Sequence, residues 1–189
     1  GAGKTLSAVL TSRVVGAAFT LVCCPNAVVD GWETAILEIF PDSDIATKTL
    51  LPTWKPKSKY RYLVVNYEAF QQSNSPGKVA ELLARQVPDF VVVDEIHYAK
   101  QRHVENISRR REVVMALITQ SAKRNPDFRV LGMSATPVIN NLLEGKALVE
   151  MITGEIHDDI ETKANVANCM KLHQRLVTIG SRWMPNYAF

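Results

Sequence analysis

Two short groups of residues, Gly3-Lys4-Thr5 and Asp94-Glu95, carry the side chains that phosphate chemistry needs. A glycine lets backbone approach phosphate closely, and a lysine reaches the β- and γ-oxygens. A threonine hydroxyl binds Mg²⁺, and the first amides of the following helix point at the anion. Gly1-Ala2-Gly3-Lys4-Thr5 therefore reads as the second half of a phosphate loop, with Gly1, Gly3, Lys4 and Thr5 as candidate nucleotide contacts. The complete pattern has an earlier glycine and a preceding strand. Both would lie upstream of Gly1, so the sequence is expected to be a segment of a longer chain.

The second group ends the run Asp89-Phe90-Val91-Val92-Val93-Asp94-Glu95-Ile96-His97. Consecutive apolar, mostly β-branched residues predict a strand buried on both faces of a parallel sheet. Its carboxylates then fall at the carboxyl edge, where open α/β sheets bind ligands. There Asp94 can hold Mg²⁺ through water, and Glu95 can orient and deprotonate the water that attacks a γ-phosphate. Lys4, Asp94 and Glu95 are the candidate catalytic residues, and Thr5 and Asp94 the candidate Mg²⁺ ligands. The plainer alternative is a polar strand end, but each motif predicts the other.

A third group, Val130-Leu131-Gly132-Met133-Ser134-Ala135-Thr136-Pro137, again runs from an apolar strand into small hydroxyl residues. Ser134 and Thr136 can hydrogen-bond Asp94 or His97 and relay the nucleotide state. Equally, the segment can be an ordinary strand-to-helix turn, stopped by proline, with Asn140 or Asn141 capping the next helix.

In this order the three groups resemble the first RecA-like lobe of a superfamily-two helicase. Flanking residues narrow the resemblance to Swi/Snf-related ATPases. Leu21-Val22-Cys23-Cys24-Pro25-Asn26 before Gly31-Trp32-Glu33 is similar to that family's Cys-Pro turn and its Trp-Glu helix. Tyr62 to Glu68 is similar to its strand ending in Tyr-Glu. The extensions Tyr98-Ala99-Lys100 and Val138-Ile139-Asn140-Asn141-Leu142 fit as well, so the likeness spans about residues 1–150. Two positions depart from it: Ala135 stands where glycine is usual, and Ile96 where a smaller residue is. The resemblance implies an α/β fold of the RecA-like P-loop NTPase type, a mainly parallel sheet with helices on both faces. It also implies ATP and Mg²⁺ as cofactors, and a coupling role for His97 together with Ser134 and Thr136. Loops around Pro25 and Asn26, and around Asn66 and Tyr67, would grip nucleic-acid phosphates without reading bases.

Those residues must be positioned by alternating strands and helices. Helices are expected over Lys4 to Val15, Val28 to Phe40, Val79 to Gln86, Ile107 to Ala122 and Leu142 to Ile152. Strands are expected over Phe19 to Cys24, Ile45 to Leu50, Arg61 to Asn66, Phe90 to Asp94 and Phe128 to Met133. Trp32 falls on the apolar stripe of its helix and reads as a core anchor. Residues 1–153 form the expected lobe. Residues 154–189 form an extension or a linker toward a second lobe, with a further helix over Glu161 to Leu176.

At 189 residues the chain has the size of one domain, and 47% hydrophobic residues suffice for a core. No apolar run is long enough to span a bilayer, and no signal peptide is visible. Cys23, Cys24 and Cys169 lack zinc spacing and read as reduced thiols, as expected of a cytoplasmic, nucleoid or nuclear protein. A net charge of +3 decides little. Its basic clusters, Lys55 to Arg61 and Arg109 to Arg111, are candidate nucleic-acid contacts by charge but equally solvated faces.

The function expected is therefore that of an ATP-driven motor that tracks along double-stranded DNA. A strand-separating DNA or RNA helicase is the alternative, and a non-catalytic nucleic-acid-binding scaffold is the rival of another class. The resemblance implies a second RecA-like lobe supplying an arginine to the γ-phosphate. The roughly fifty residues after Thr136 are too few for such a lobe, so this segment alone is expected to be inactive.

Overall fold

The computed structural model describes residues 3–96, 109–134 and 141–181. Five parallel strands, β1 (Phe19–Cys24), β2 (Asp44–Thr47), β3 (Arg61–Asn66), β4 (Phe90–Val93) and β5 (Arg129–Gly132), form one sheet in the order β2-β3-β1-β4-β5. Alternation along the strands splits the core in two, because successive side chains leave opposite faces. Leu21, Cys23, Leu63, Val65, Val91 and Val93 point to one face. They pack under α3 (Ser75–Arg85), α4 (Arg109–Arg124) and α5 (Leu142–Thr153). Val22, Cys24, Tyr62, Val64 and Val92 point to the other, under α1 (Lys4–Val14) and α2 (Val29–Ile39). A final helix, α6 (Val166–Ile179), joins α5 through a small cluster of Leu142, Val149, Ile160 and Leu172. This is the α/β architecture expected, a parallel sheet covered on both faces.

Strand register brings the motifs level. Cys24 pairs with Asn66, and Cys23 with both Val65 and Val93. Val93 pairs in turn with Gly132. Pro25, Asn66, Asp94 and Met133 thus all leave the sheet at its carboxyl edge. The chain winds outward from β1 across one face and back through β3 to β4 across the other. The crevice at such a reversal is where doubly wound sheets bind ligands.

The amino edge is closed by Asp89. Its Oδ2 accepts from the amides of Ala18 and Phe19, at 2.9 and 2.8 Å, and its Oδ1 accepts from Asn125 Nδ2 at 3.0 Å.

β1 and β3 have the expected limits, whereas several other boundaries move for local reasons. β2 ends at Thr47, before the expected Leu50, because Lys48 turns the chain with a left-handed φ of 59°. The expected helix from Val28 begins as a 3₁₀ turn over Asn26–Val28 and becomes α-helical at Val29. α3 starts at Ser75 rather than Val79, with Pro76 in its first turn, where a missing amide costs nothing. α6 starts at Val166 rather than Glu161, because the Asn165 side chain caps the amide of Asn168. Asn141 caps α5 through the amide of Glu144, as one of the two expected alternatives.

Candidate functional site

Gly3 precedes α1 with φ 73°, a left-handed conformation that glycine enters without cost. Lys4 and Thr5 then form the first turn of α1. Among the described residues no side chain caps that helix start, and its first turn carries no acidic residue, an arrangement that favours an anion at the positive end. Lys4 and Thr5 are both half-buried.

The turn after β4 meets this helix start. Lys4 Nζ lies 2.6 Å from Glu95 Oε1. Glu95 has a φ of 49°, unusual for a residue with a Cβ and worth about 1–3 kcal/mol of local strain. Strain of this kind persists only where surrounding contacts impose it, and here they are visible. The Glu95 amide donates to Asp94 Oδ1 at 3.0 Å, and the Ile96 amide donates to Met133 O at 2.8 Å. Met133 N donates to Val93 O at 2.9 Å, which fastens the ends of β4 and β5 together.

Asp94 itself is 7% exposed. Its amide donates to Cys23 O at 2.8 Å, and its carbonyl accepts from Tyr67 Oη at 2.6 Å. Trp32 Nε1 donates to Asp94 Oδ2 at 3.1 Å. Burial pushes the carboxyl above the usual carboxylate range, while the Trp32 N–H and the Lys4 charge pull against that shift. The thiol of neighbouring Cys24 is pushed up to about 12, by burial first and then by the charge on Asp94.

Gly132 permits the closeness of this corner. A Cβ there would stand 2.6 Å from Ile96 Cδ1 and 3.1 Å from Ile152 Cδ1. The large Ile96, which departs from the Swi/Snf pattern, is thus housed over a residue with no side chain.

The second pair of loops also converges. Asn66 Nδ2 donates to Asn26 Oδ1 at 2.8 Å, and Asn66 Oδ1 accepts from the Ala69 amide at 3.0 Å. Asn26 is exposed and Pro25 half-buried. Tyr67 is different: its ring is fully enclosed, with the Arg110 guanidinium 5.5 Å from its centroid. Its phenol donates to the Asp94 carbonyl, so the side chain is engaged inside the fold. Trp32, expected as a core anchor, is one at 2% exposure, and it also touches Asp94. Spacing on one helix carries no signal for that second contact.

Ser134 lies half-buried two residues beyond β5. Gly1, His97 and Thr136 fall outside the described residues. The basic clusters do not form one surface. The stretch from Lys55 leads into β3 at the amino edge, away from Asp94. In α4, Arg109 is exposed, Arg110 half-buried and Arg111 buried.

Among the described residues no helix is long and apolar enough to cross a membrane. A solved structure of similar fold is the Sulfolobus solfataricus SWI2/SNF2 ATPase core in complex with dsDNA, with a TM-score of 0.52 and 15% identity. That match covers 80% of this chain and 29% of the other. Nucleoside triphosphatase I of Melanoplus sanguinipes entomopoxvirus is 31% identical over 90 residues, 46% of this chain and 13% of the relative. The chain thus spans only a minor part of either protein. The family described as type III restriction enzyme, res subunit, matches residues 1–139. The chain belongs to that family and is a helicase-like first lobe of superfamily two, with the RecA-like fold.

Proposed function

We propose that this lobe binds Mg-ATP at the carboxyl edge of its sheet and belongs to a motor that moves along duplex DNA. The observation that carries the reading is the meeting of Lys4 with Glu95 beside Asp94, at the open start of α1. The donor set fits the group: a hydroxyl and a carboxylate are the hard oxygen ligands Mg²⁺ takes, with few protein ligands needed. Thr5 and Asp94 would hold it, and Mg²⁺ would neutralise charge on the phosphoryl oxygens.

The chain's own residues supply the rest. Lys4 exchanges Glu95 for phosphate oxygen, and the α1 amides add backbone donors. Glu95, released from Lys4, turns its carboxylate to a water and accepts its proton as the oxygen bonds to the γ-phosphorus, while the bond from that phosphorus to the β–γ bridging oxygen breaks and ADP leaves. The loops of Pro25 and Asn26, and of Asn66 and Tyr67, grip the polynucleotide backbone. His97, Ser134 and Thr136 transmit the nucleotide state. The choice of duplex DNA draws support from the S. solfataricus core of like fold, which was solved with dsDNA.

The test is steady-state ATP hydrolysis by the full-length protein. Double-stranded DNA should stimulate turnover without displacement of an annealed strand, and the stimulation should fall steeply with salt as phosphate contacts release counterions. Stimulation by single-stranded RNA alone would replace this reading with a strand-separating RNA helicase.

A further inference from the structure

We infer that Trp32 is a positioning residue for the metal-binding carboxylate of Asp94, acting through its indole N–H. The inference rests on the Mg-nucleotide reading of the site and deepens it. A buried indole N–H needs an acceptor. Among the groups around this ring the acceptor is Asp94 Oδ2, across 62 residues of sequence, at 3.1 Å. The other oxygen is taken by the Glu95 amide at 3.0 Å. A carboxylate has about four lone-pair positions. Among the described residues there is one donor on each oxygen, which fixes the rotation of the group about its χ2 bond and leaves a lone pair on each for a cation. The amide restrains the carboxylate only from its own turn, whereas the indole restrains it from a different element.

That element is the first turn of α2, directly behind the 3₁₀ turn Asn26–Val28. Asn26 is tied to Asn66, and the next residue, Tyr67, holds the Asp94 carbonyl at 2.6 Å. Asp94 is therefore held by its side chain from α2 and by its backbone from the turn after β3. Trp32→Phe removes the side-chain hold while keeping an aromatic ring in the core.

Outer-shell partners of a metal ligand typically change metal affinity or activity by about 10–100-fold when lost. In the full-length protein, Trp32→Phe should raise the Mg²⁺ concentration for half-maximal hydrolysis by about tenfold. The KM for ATP at saturating Mg²⁺ should hold. The second readout needs no turnover. The indole N–H resonance that disappears in Trp32→Phe should shift in the wild type when ADP and Mg²⁺ are added, and less with ADP alone. Asp94→Asn should shift the same resonance without any nucleotide. If Trp32→Phe fails to fold, that resonance is assigned instead by its response to Asp94→Asn, and the Mg²⁺ response of the wild type decides the matter. An unchanged Mg²⁺ requirement, or an indole resonance indifferent to Mg-ADP that demonstrably binds, would overturn the role of Trp32. If Mg-ADP does not bind the wild-type protein, or binds equally to Lys4→Ala, the nucleotide reading falls first.

Discussion

Lys4 and Glu95, separated by 91 residues of sequence, meet at 2.6 Å between the first turn of α1 and the turn after β4. Both side chains are about a quarter exposed, at 28% and 26%, so the pair stands at the rim of the crevice where solvent and ligand reach it. On the proposed reading, a phosphate competing for Lys4 breaks this one contact to Glu95 in the same event. One contact joins the residue proposed to bind with the residue proposed to act as base.

Substitutions at the two partners should separate these roles. Glu95→Gln in the full-length protein should retain ATP binding and lose about 10²–10⁴-fold in turnover, because the amide keeps the shape but cannot accept a proton. Lys4→Ala should instead weaken binding. Nucleotide titrations beside single-turnover rates make the distinction, and equal hydrolysis by wild type and Glu95→Gln would assign the base elsewhere.

Asp89 should matter for stability and not for binding. Its carboxylate accepts from two amides and from Asn125 at the edge of the sheet opposite Asp94. Hydrogen bonds to a charged group are worth about 1.5–3 kcal/mol net. Asp89→Ala should cost at least about 2 kcal/mol in urea unfolding and leave nucleotide affinity unchanged among folded molecules. Asp89→Asn, which keeps one acceptor, should cost less.

Gly132 and Ile96 should be energetically coupled. A methyl at Gly132 would stand 2.6 Å from the end of the Ile96 side chain, which can move but not freely in a filled corner. Gly132→Ala should destabilise by about 1–3 kcal/mol, the usual cost of overpacking. Ile96→Val should relieve part of that cost, so that a double-mutant cycle gives a non-additive pair. Additive effects would show that the Ile96 side chain moves aside freely.

Thiol chemistry should discriminate sharply among the cysteines. Cys169 is exposed, whereas Cys23 and Cys24 are buried in β1. Burial pushes Cys24 up to about 12 and Cys23 higher still, so each holds far less thiolate near pH 8 than an ordinary cysteine. Iodoacetamide at that pH should add one label to the native protein within this segment, at Cys169, and three after unfolding. Labelling of Cys24 in the native state would contradict the enclosure of β1.

The parts of this fold legible in the sequence are those written in local periodicity. β1 and β3 are mostly apolar stretches closed by Pro25 and by Asn66, and their limits emerge as expected. Helix starts are less legible, because local signals compete with hydrophobic pattern: the Asn165 side-chain cap moves α6, and Pro76 in the first turn moves α3. In the site, Lys4 and the Asp94-Glu95 pair can be brought together from sequence because strand ends and helix starts share one edge in an α/β sheet. The Trp32–Asp94 and Tyr67–Asp94 contacts cannot. Each spans a crossover, and an aromatic residue at helical spacing, or following a strand, has the same pattern whether or not its polar atom finds a partner.

The most direct measurement of the central claim is a structure of the full-length protein with Mg-ADP. Lys4 Nζ should have left Glu95 for the β-phosphate, with Thr5 and Asp94 on the metal side and Glu95 turned toward solvent at the γ-position. Nucleotide bound elsewhere, with the Lys4–Glu95 pair intact, would contradict the account.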